Sequence, residues 1–307
     1  MRVAGSIREL PGAGRKACLC IGFFDGVHLG HQQIIRQTVA DARQKEADAV
    51  VITFRRHPGS IVRPEHAPRL IYSLSQRSGA IERCGADSLL LIDFDESFSR
   101  QTGEEFVSWL LAGFQRIHSI CVGTNFVFGH QRSGNVELLK SMGSKLGFLT
   151  HALAAVSLEG QPVSSTRIRE AVKTGNLDLA SQMLGRAYSL AGDVVRGDAL
   201  GRRLGFPTAN MDVTGRVLPP FGVYAAHAKF GYETRRAVLN IGTRPTLGAP
   251  DPPLRVEAHL LDFDGDLYGA ELEVTFVEKL RDEMRFGSVE ELRLQIARDI
   301  HEARTRF

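Results

Sequence analysis

Two histidines three residues apart, His28 and His31, close the stretch Cys-Ile-Gly-Phe-Phe-Asp-Gly-Val-His-Leu-Gly-His, residues 20–31. An apolar run, Ala17 to Ile21, leads into the turn, and a helix-period segment follows from about Gly30. That order puts a helix start behind a strand end. Backbone N–H groups without intrahelical partners, at the positive end of the helix dipole, attract phosphate there. Gly26 and Gly30 leave the main chain open to close approach. Imidazoles spaced three apart on a first turn share a face and can donate hydrogen bonds to phosphoryl oxygens as charge builds in a transition state. A His-x-x-His pair also suits two metal ligands or helix caps. The glycines do not spell Gly-x-Gly-x-x-Gly, so a dinucleotide fingerprint is not supported.

Further segments carry polar groups at the ends of apolar runs. His57 lies in Thr53-Phe54-Arg55-Arg56-His57-Pro58, where a polar turn residue is the simplest reading. Asn125, Phe126 and Phe128 stand between Gly123 and Gly129 and can clamp a planar ring, or form a turn under a core aromatic. Ser164, Ser165 and Thr166 open a helical segment with Arg169 one turn in, as caps commonly do. Much later comes the run Gly201-Arg202-Arg203-Leu204-Gly205-Phe206-Pro207-Thr208-Ala209-Asn210. Thr208 and Asn210 are oxygen ligands two apart, on one side if the segment is extended. Hard Mg²⁺ favours such oxygens together with nucleotide phosphates, although Gly and Pro with turn-forming polar residues explain a plain loop equally well.

The elements that must position these groups fall into two patterns. Up to Gly185, continuous apolar strands (Ala17–Ile21, Ala49–Phe54, Ser88–Phe94, Ser119–Gly123, Phe148–Val156) alternate with helical segments. One of these helices, Thr102–Arg116, opens on a capping box. This pattern predicts βαβ units and a parallel sheet buried on both faces, with the ligand beyond the carboxyl ends of its strands. Beyond Gly185, alternating strand-like segments (Tyr188–Val195, Val223–Phe230, Thr234–Ile241, Arg255–Phe263, Glu271–Leu280) follow one another across Gly, Pro and Asp turns. A helix, Ser288–Arg304, ends the chain. That pattern predicts a small antiparallel barrel closed by a terminal helix. The division is 1–185 and 186–307.

The 307 residues are enough for two cores, and 43% hydrophobic with 24% charged residues is an ordinary globular composition. From Arg186 onward there are 17 basic and 18 acidic residues, and 21 and 17 before it, so neither half is a basic nucleic-acid surface. The mean hydropathy of −0.11 agrees with the lack of any run of ~18 apolar residues, and no signal peptide or membrane partner is expected. Cys18, Cys20, Cys84 and Cys121 sit in or beside apolar runs without Cys-x-x-Cys spacing. Buried free thiols and a cytoplasmic location follow.

Gly22-x-Phe24-Asp25-Gly26-x-His28-x-Gly30-His31 resembles the signature of the His-x-Gly-His nucleotidyltransferases. In its long form it is similar to the bacterial bifunctional riboflavin kinase/FAD synthetases. The second half agrees: Gly201 to Asn210, Asn240-Ile241-Gly242-Thr243-Arg244-Pro245-Thr246, the strand around Glu257, and Leu280 to Phe286 resemble riboflavin kinases. The resemblance implies a Rossmann-like FMN adenylyltransferase domain and a riboflavin kinase barrel. Riboflavin would become FMN, and FMN would become FAD, with ATP and Mg²⁺. It implies His28 and His31 as transition-state donors, with Gly22, Phe24, Asp25, Gly26, Gly30, Ser164, Ser165, Thr166 and Arg169 around the ATP phosphates. It implies His57, Asn125, Phe126 and Phe128 on the flavin side. In the barrel it implies Glu257 as catalytic base and Thr208 and Asn210 as Mg²⁺ ligands. Gly201, Arg202, Gly205, Phe206, Pro207, Asn240, Arg244 and Arg281 would line nucleotide and flavin. Phe23 departs from the pattern, since many relatives carry Asn there. The alternative is another His-x-Gly-His nucleotidyltransferase with an accessory flavin-binding barrel. Only small-molecule partners are implied, with the chain a monomer or weak homo-oligomer.

Overall fold

Six strands form a parallel sheet in the spatial order Arg2–Ala4, Ser88–Ile92, Asp48–Phe54, Ala17–Ile21, Ile117–Gly123, Leu149–Leu153. The computed structural model describes residues 1–10, 16–198, 200–243 and 254–307. The apolar runs are continuous because both sheet faces are covered. Leu19, Ile21, Val50 and Ile52 pack in one buried cluster, while Cys20, Val51, Leu89 and Cys121 pack in the cluster on the other face. Ala17–Ile21 is the turning point of the strand order: from it the chain builds outward first through Asp48–Phe54 and later through Ile117–Gly123. The crevice beyond the carboxyl ends of those two strands is where such sheets take ligands.

The second sheet closes on itself in the order Ser189–Val195, Ala209–Asp212, Leu254–Leu260, Glu233–Thr243, Gly222–Phe230, Glu271–Arg281. All its pairings are antiparallel. Alternation explains the barrel: Val256, Ala258 and Leu260 fill the interior, while Arg255, Glu257 and His259 point the other way and are half-buried. The helix Val289–Arg304, capped by Ser288, lays Ile300 and Ala303 against Val223, Ala225 and Val238.

The chain divides into two compact units, 1–70 with 74–165, and 71–73 with 166–307. The helix Leu177–Leu184 belongs to the barrel unit, where the Ser181 hydroxyl accepts from the Tyr188 N–H at 3.0 Å. Three of the differences from the sequence reading concern these sheets and the chain beside them. Arg2–Ala4 is only three residues long, too short for a periodicity to register. Ala209–Asp212 follows Pro207 and looks like loop, yet it pairs on both sides. The predicted strand Phe148–Val156 stops at Leu153, and a two-residue ladder, Ser157–Leu158 with Gln161–Pro162, takes the chain around Gly160.

Candidate active sites

The turn after Ala17–Ile21 is strained. Phe24 and Val27 hold φ of 56° and 41°, in the left-handed region that side chains avoid, and Gly26 between them sits at 77°. Phe24 is 2% exposed and Val27 fully buried, so packing holds the strain in place. Gln32 Nε2 donates to the Val27 carbonyl at 3.0 Å and Thr53 Oγ1 to the Phe23 carbonyl at 2.9 Å.

The helix Leu29–Gln44 begins one residue earlier than its periodicity suggests, with His28 as its cap. His28 Nδ1 accepts from the His31 N–H at 3.4 Å, and the two rings stack with centroids 3.6 Å apart and planes 21° apart. The acceptor role of His28 Nδ1 puts the proton of its neutral ring on Nε2. His31 Nδ1 is buried and has no hydrogen-bond partner among the described residues. Burial, then the neighbouring His28, hold the His31 pKa well below the ordinary histidine value, so His31 is neutral at pH 7. A Cβ on Gly30 would press on the His28 ring at 3.3 Å; that glycine makes room for the imidazole rather than for a ligand alone. Asp25 is buried, and its carbonyl accepts from Ser165 Oγ at 3.0 Å, which ties the Ser164–Ser165 segment to the turn. Thr166 and Arg169 lie in the helix Ser165–Lys173.

His57 stands at the end of the neighbouring strand Asp48–Phe54, its Nδ1 accepting from the Gly59 N–H at 3.0 Å. Its ring packs nearly perpendicular to that of Phe23 at a centroid distance of 4.6 Å. Asn125 is exposed beyond Ile117–Gly123. Phe126 and Phe128 stack on each other at 5.3 Å, and Phe128 continues into Phe106 at 5.6 Å. These aromatics therefore rest on the sheet core while Phe126 stays half-open.

In the barrel, register brings the predicted residues into one row. Asn210 pairs with Glu257, and Glu257 pairs with Asn240 on its other side. Asn240 pairs with Val223, which pairs with Arg281. Thr208, Asn210, Asn240, Glu257 and Arg281 all line a cleft of about 840 Å³, together with Gly201 and Phe206. Its apolar wall comes from Val223 and Val238 of the barrel, Met284 and Phe286, and Leu292 and Ile296 of the terminal helix. A smaller cleft of about 270 Å³ lies along Arg202, Pro207 and Thr208, under Phe263, Asp266 and Tyr268. Gly205 turns the intervening loop at φ 88°. His259 Nδ1 lies 2.7 Å from the Pro207 carbonyl.

Arg281 is occupied structurally: its Nε and Nη2 donate to Asp299 at 2.9 and 2.8 Å, fastening the last strand to the terminal helix. Arg244 lies outside the described residues. The sequence reading passed over the apolar half of the large cleft and the Arg255–Asp198 ion pair at 2.9 Å on its border. The phase of Leu254–Leu260 was the available signal for Arg255, since it shares a face with Glu257.

The family model described as FAD synthetase matches residues 11–167, and the one described as riboflavin kinase matches residues 184–307. The chain is similar to curated proteins named bifunctional riboflavin kinase/FMN adenylyltransferase. That of Escherichia coli strain K12 is 37% identical over 100% of this chain and 98% of its own length. That of Haemophilus influenzae is 35% identical over 98% of each chain, and that of Bacillus subtilis strain 168 is 32% identical over 94% of this chain and 92% of its own. A crystal structure described as a macrolide-efflux protein from Streptococcus pneumoniae shares the fold, with a TM-score of 0.80 and 29% identity over 98% of both chains.

Proposed function

The chain belongs to the bifunctional riboflavin kinase/FMN adenylyltransferase family, and from that premise we propose how its residues divide the two reactions. The enzyme phosphorylates riboflavin to FMN with ATP, then joins FMN to AMP from a second ATP, giving FAD and pyrophosphate. We assign the first reaction to residues 186–307 and the second to 1–185.

The observation that carries the kinase assignment is the row Asn210, Glu257, Asn240 facing the large cleft. Glu257 takes the proton of the riboflavin 5′-hydroxyl as that oxygen attacks the γ-phosphorus of ATP, and ADP leaves. The apolar wall formed with the terminal helix suits the isoalloxazine ring, and the smaller cleft beyond Pro207 and Thr208 suits the nucleotide. Among the described residues no group of three His, Cys, Asp or Glu is placed to hold a metal. The donors here are the Thr208 hydroxyl and the Asn210 carboxamide, beside the Glu257 carboxylate. This all-oxygen set fits Mg²⁺ shared with nucleotide phosphates, and Thr208 and Asn210 would hold it. When bound, the ion neutralises phosphate charge. Arg281 serves this site by fixing the helix that walls it. Gly201, Arg202, Gly205 and Phe206 shape the loop between the clefts.

In the amino-terminal site a phosphate oxygen of FMN attacks the α-phosphorus of ATP in line. No protein nucleophile is required; positioning and charge stabilisation supply the catalysis. His28 and the neutral His31 donate hydrogen bonds to the phosphoryl oxygens as charge builds on them. Phe24, Asp25 and Gly26 shape the turn that presents the helix start to phosphate. Ser164, Ser165, Thr166 and Arg169 keep the phosphate role that their motif implies. His57, Asn125, Phe126 and Phe128 take the flavin. The reading has the enzyme act on small molecules in the cytoplasm, as a monomer or weak homo-oligomer. Four buried cysteines support a reducing compartment. Among the described residues no helix is long and apolar enough to cross a membrane.

The test is Glu257→Gln, which keeps shape and removes the basic carboxylate. Riboflavin phosphorylation should fall by ~10²–10⁴-fold while added FMN is still converted to FAD. Kinase activity within about threefold of wild type, far inside that range, would overturn the base assignment.

A further inference from the structure

Phe23 is held between two polar side chains, Arg77 and His57. Arg77, on the helix Leu74–Glu82, is 3% exposed, and its guanidinium carbon lies 4.4 Å from the centre of the Phe23 ring. Its Nη1 donates to the Phe23 carbonyl at 3.0 Å and its Nη2 to the Phe54 carbonyl at 2.6 Å. One planar fork thus ties the loop after Ala17–Ile21 to the last residue of the adjacent strand Asp48–Phe54, where the next loop begins. The first loop continues into the strained residues Phe24–Val27 and the His28 cap; the second carries His57. The His57 ring also packs on Phe23, nearly perpendicular to it, at a centroid distance of 4.6 Å.

We propose that Arg77, acting through Phe23, is a positioning residue for adenylyl transfer, holding the phosphate-binding loop and the His57 loop at a fixed spacing. Left-handed φ at Phe24 and Val27 persists only where surrounding contacts over-determine it. Arg77 supplies one such contact at the residue immediately before Phe24, and Thr53 Oγ1 supplies a second to the same carbonyl. A single arginine side chain is needed because both carbonyls must be met at once. Lysine offers a point charge and cannot hold that geometry. Phe23 gives the guanidinium an aromatic face to lie on, which an aliphatic or polar side chain would not. The proposal rests on the assignment of the two loops to opposite substrates.

The experiment compares Arg77→Gln, Arg77→Lys, Phe23→Leu and Phe23→Leu/Arg77→Gln in the full-length enzyme. Adenylylation of added FMN and phosphorylation of riboflavin are assayed in the same preparations. Misplacement of about an ångström costs up to ~10²-fold, so Arg77→Gln should lower kcat for FAD formation by roughly 10–10²-fold. The KM values for FMN and ATP should stay within about threefold, because each loop still binds its own substrate. Kinase kcat, with its residues elsewhere, should be unchanged. Arg77→Lys should recover part of the loss. The double variant should be no worse than Arg77→Gln alone, since the two residues act as one unit. A general loosening of the sheet would instead raise both KM values and multiply the single losses. Either of those outcomes, or adenylylation by folded Arg77→Gln within about threefold of wild type, overturns the proposal. If Arg77→Gln does not fold, Arg77→Lys and Phe23→Leu decide: unchanged adenylylation in both is the refuting result. His57→Ala, assayed alongside, separates the premises. An unchanged KM for FMN there would undo the flavin assignment of His57, and with it the premise that the two loops serve opposite substrates, whatever Arg77→Gln shows.

Discussion

Removing Arg281 should destabilise the barrel unit by more than any surface ion pair could. Asp299 is 3% exposed and accepts three hydrogen bonds, two from Arg281 at 2.9 and 2.8 Å and one from Gln295 Nε2 at 2.8 Å. In Arg281→Ala the carboxylate stays buried with one neutral donor left. Breaking a buried pair from one side costs about 3–5 kcal/mol, against ~0–1 kcal/mol for exposed pairs such as Arg100–Glu96. For a unit of this size each kcal/mol moves the midpoint by roughly 3–5 °C, so the shift should be about 9–25 °C. The assay is thermal unfolding followed by circular dichroism together with residual kinase activity, with the adenylyltransferase activity as the reference for the other unit. The pair Arg281→Met/Asp299→Leu removes both charges and keeps apolar volume. It should stay within about 1–2 kcal/mol of wild type or exceed it. A shift below about 3 °C for Arg281→Ala, or a double variant as unstable as the single, would refute the reasoning.

Acid stability should report His31. Its folded pKa is depressed by burial and by His28, so below the ordinary value near 6.5 the unfolded chain takes up the proton first. Stability is therefore full above about pH 6.5 and falls progressively with acid; His31→Gln should flatten that limb in a series of melts, and an identical limb would refute the link. A fragment 186–307 should phosphorylate riboflavin and stop at FMN, since Thr208, Asn210 and Glu257 all lie inside it. A fragment 166–307 should do the same with a higher melting temperature, because Ser181 and the buried Met183 and Leu184 belong to the barrel unit. Equal midpoints would contradict that packing.

Which parts of the molecule were legible follows from the physics of each segment. Ala17–Ile21 has no polar side chain because both faces of its sheet are covered, and Leu254–Leu260 alternates because only one face of a barrel strand is interior. Those two patterns revealed both sheets. Ala209–Asp212 escaped because Pro207, Thr208 and Asn210 have loop-like composition, while their pairing depends on distant partners, Glu257 among them. The stacking of His28 on His31 was half visible: the spacing put them together, but His28 caps the helix instead of entering its first turn. Arg77 was invisible. An arginine within a short helix reads as a solvated face, and only the tertiary approach of Phe23 and Phe54 makes it a buried bridge.

The central claim is that one chain carries two separable chemistries with FMN as the link. The most direct measurement mixes Glu257→Gln with His28→Ala/His31→Ala, supplies riboflavin, ATP and Mg²⁺, and separates FMN from FAD over time. Alone, the first variant should leave riboflavin unconsumed and the second should stop at FMN. Together they should produce FAD, because FMN made by one protein is adenylylated by the other. A mixture that accumulates FMN without FAD, or a single variant that loses both activities while folded, would contradict the account.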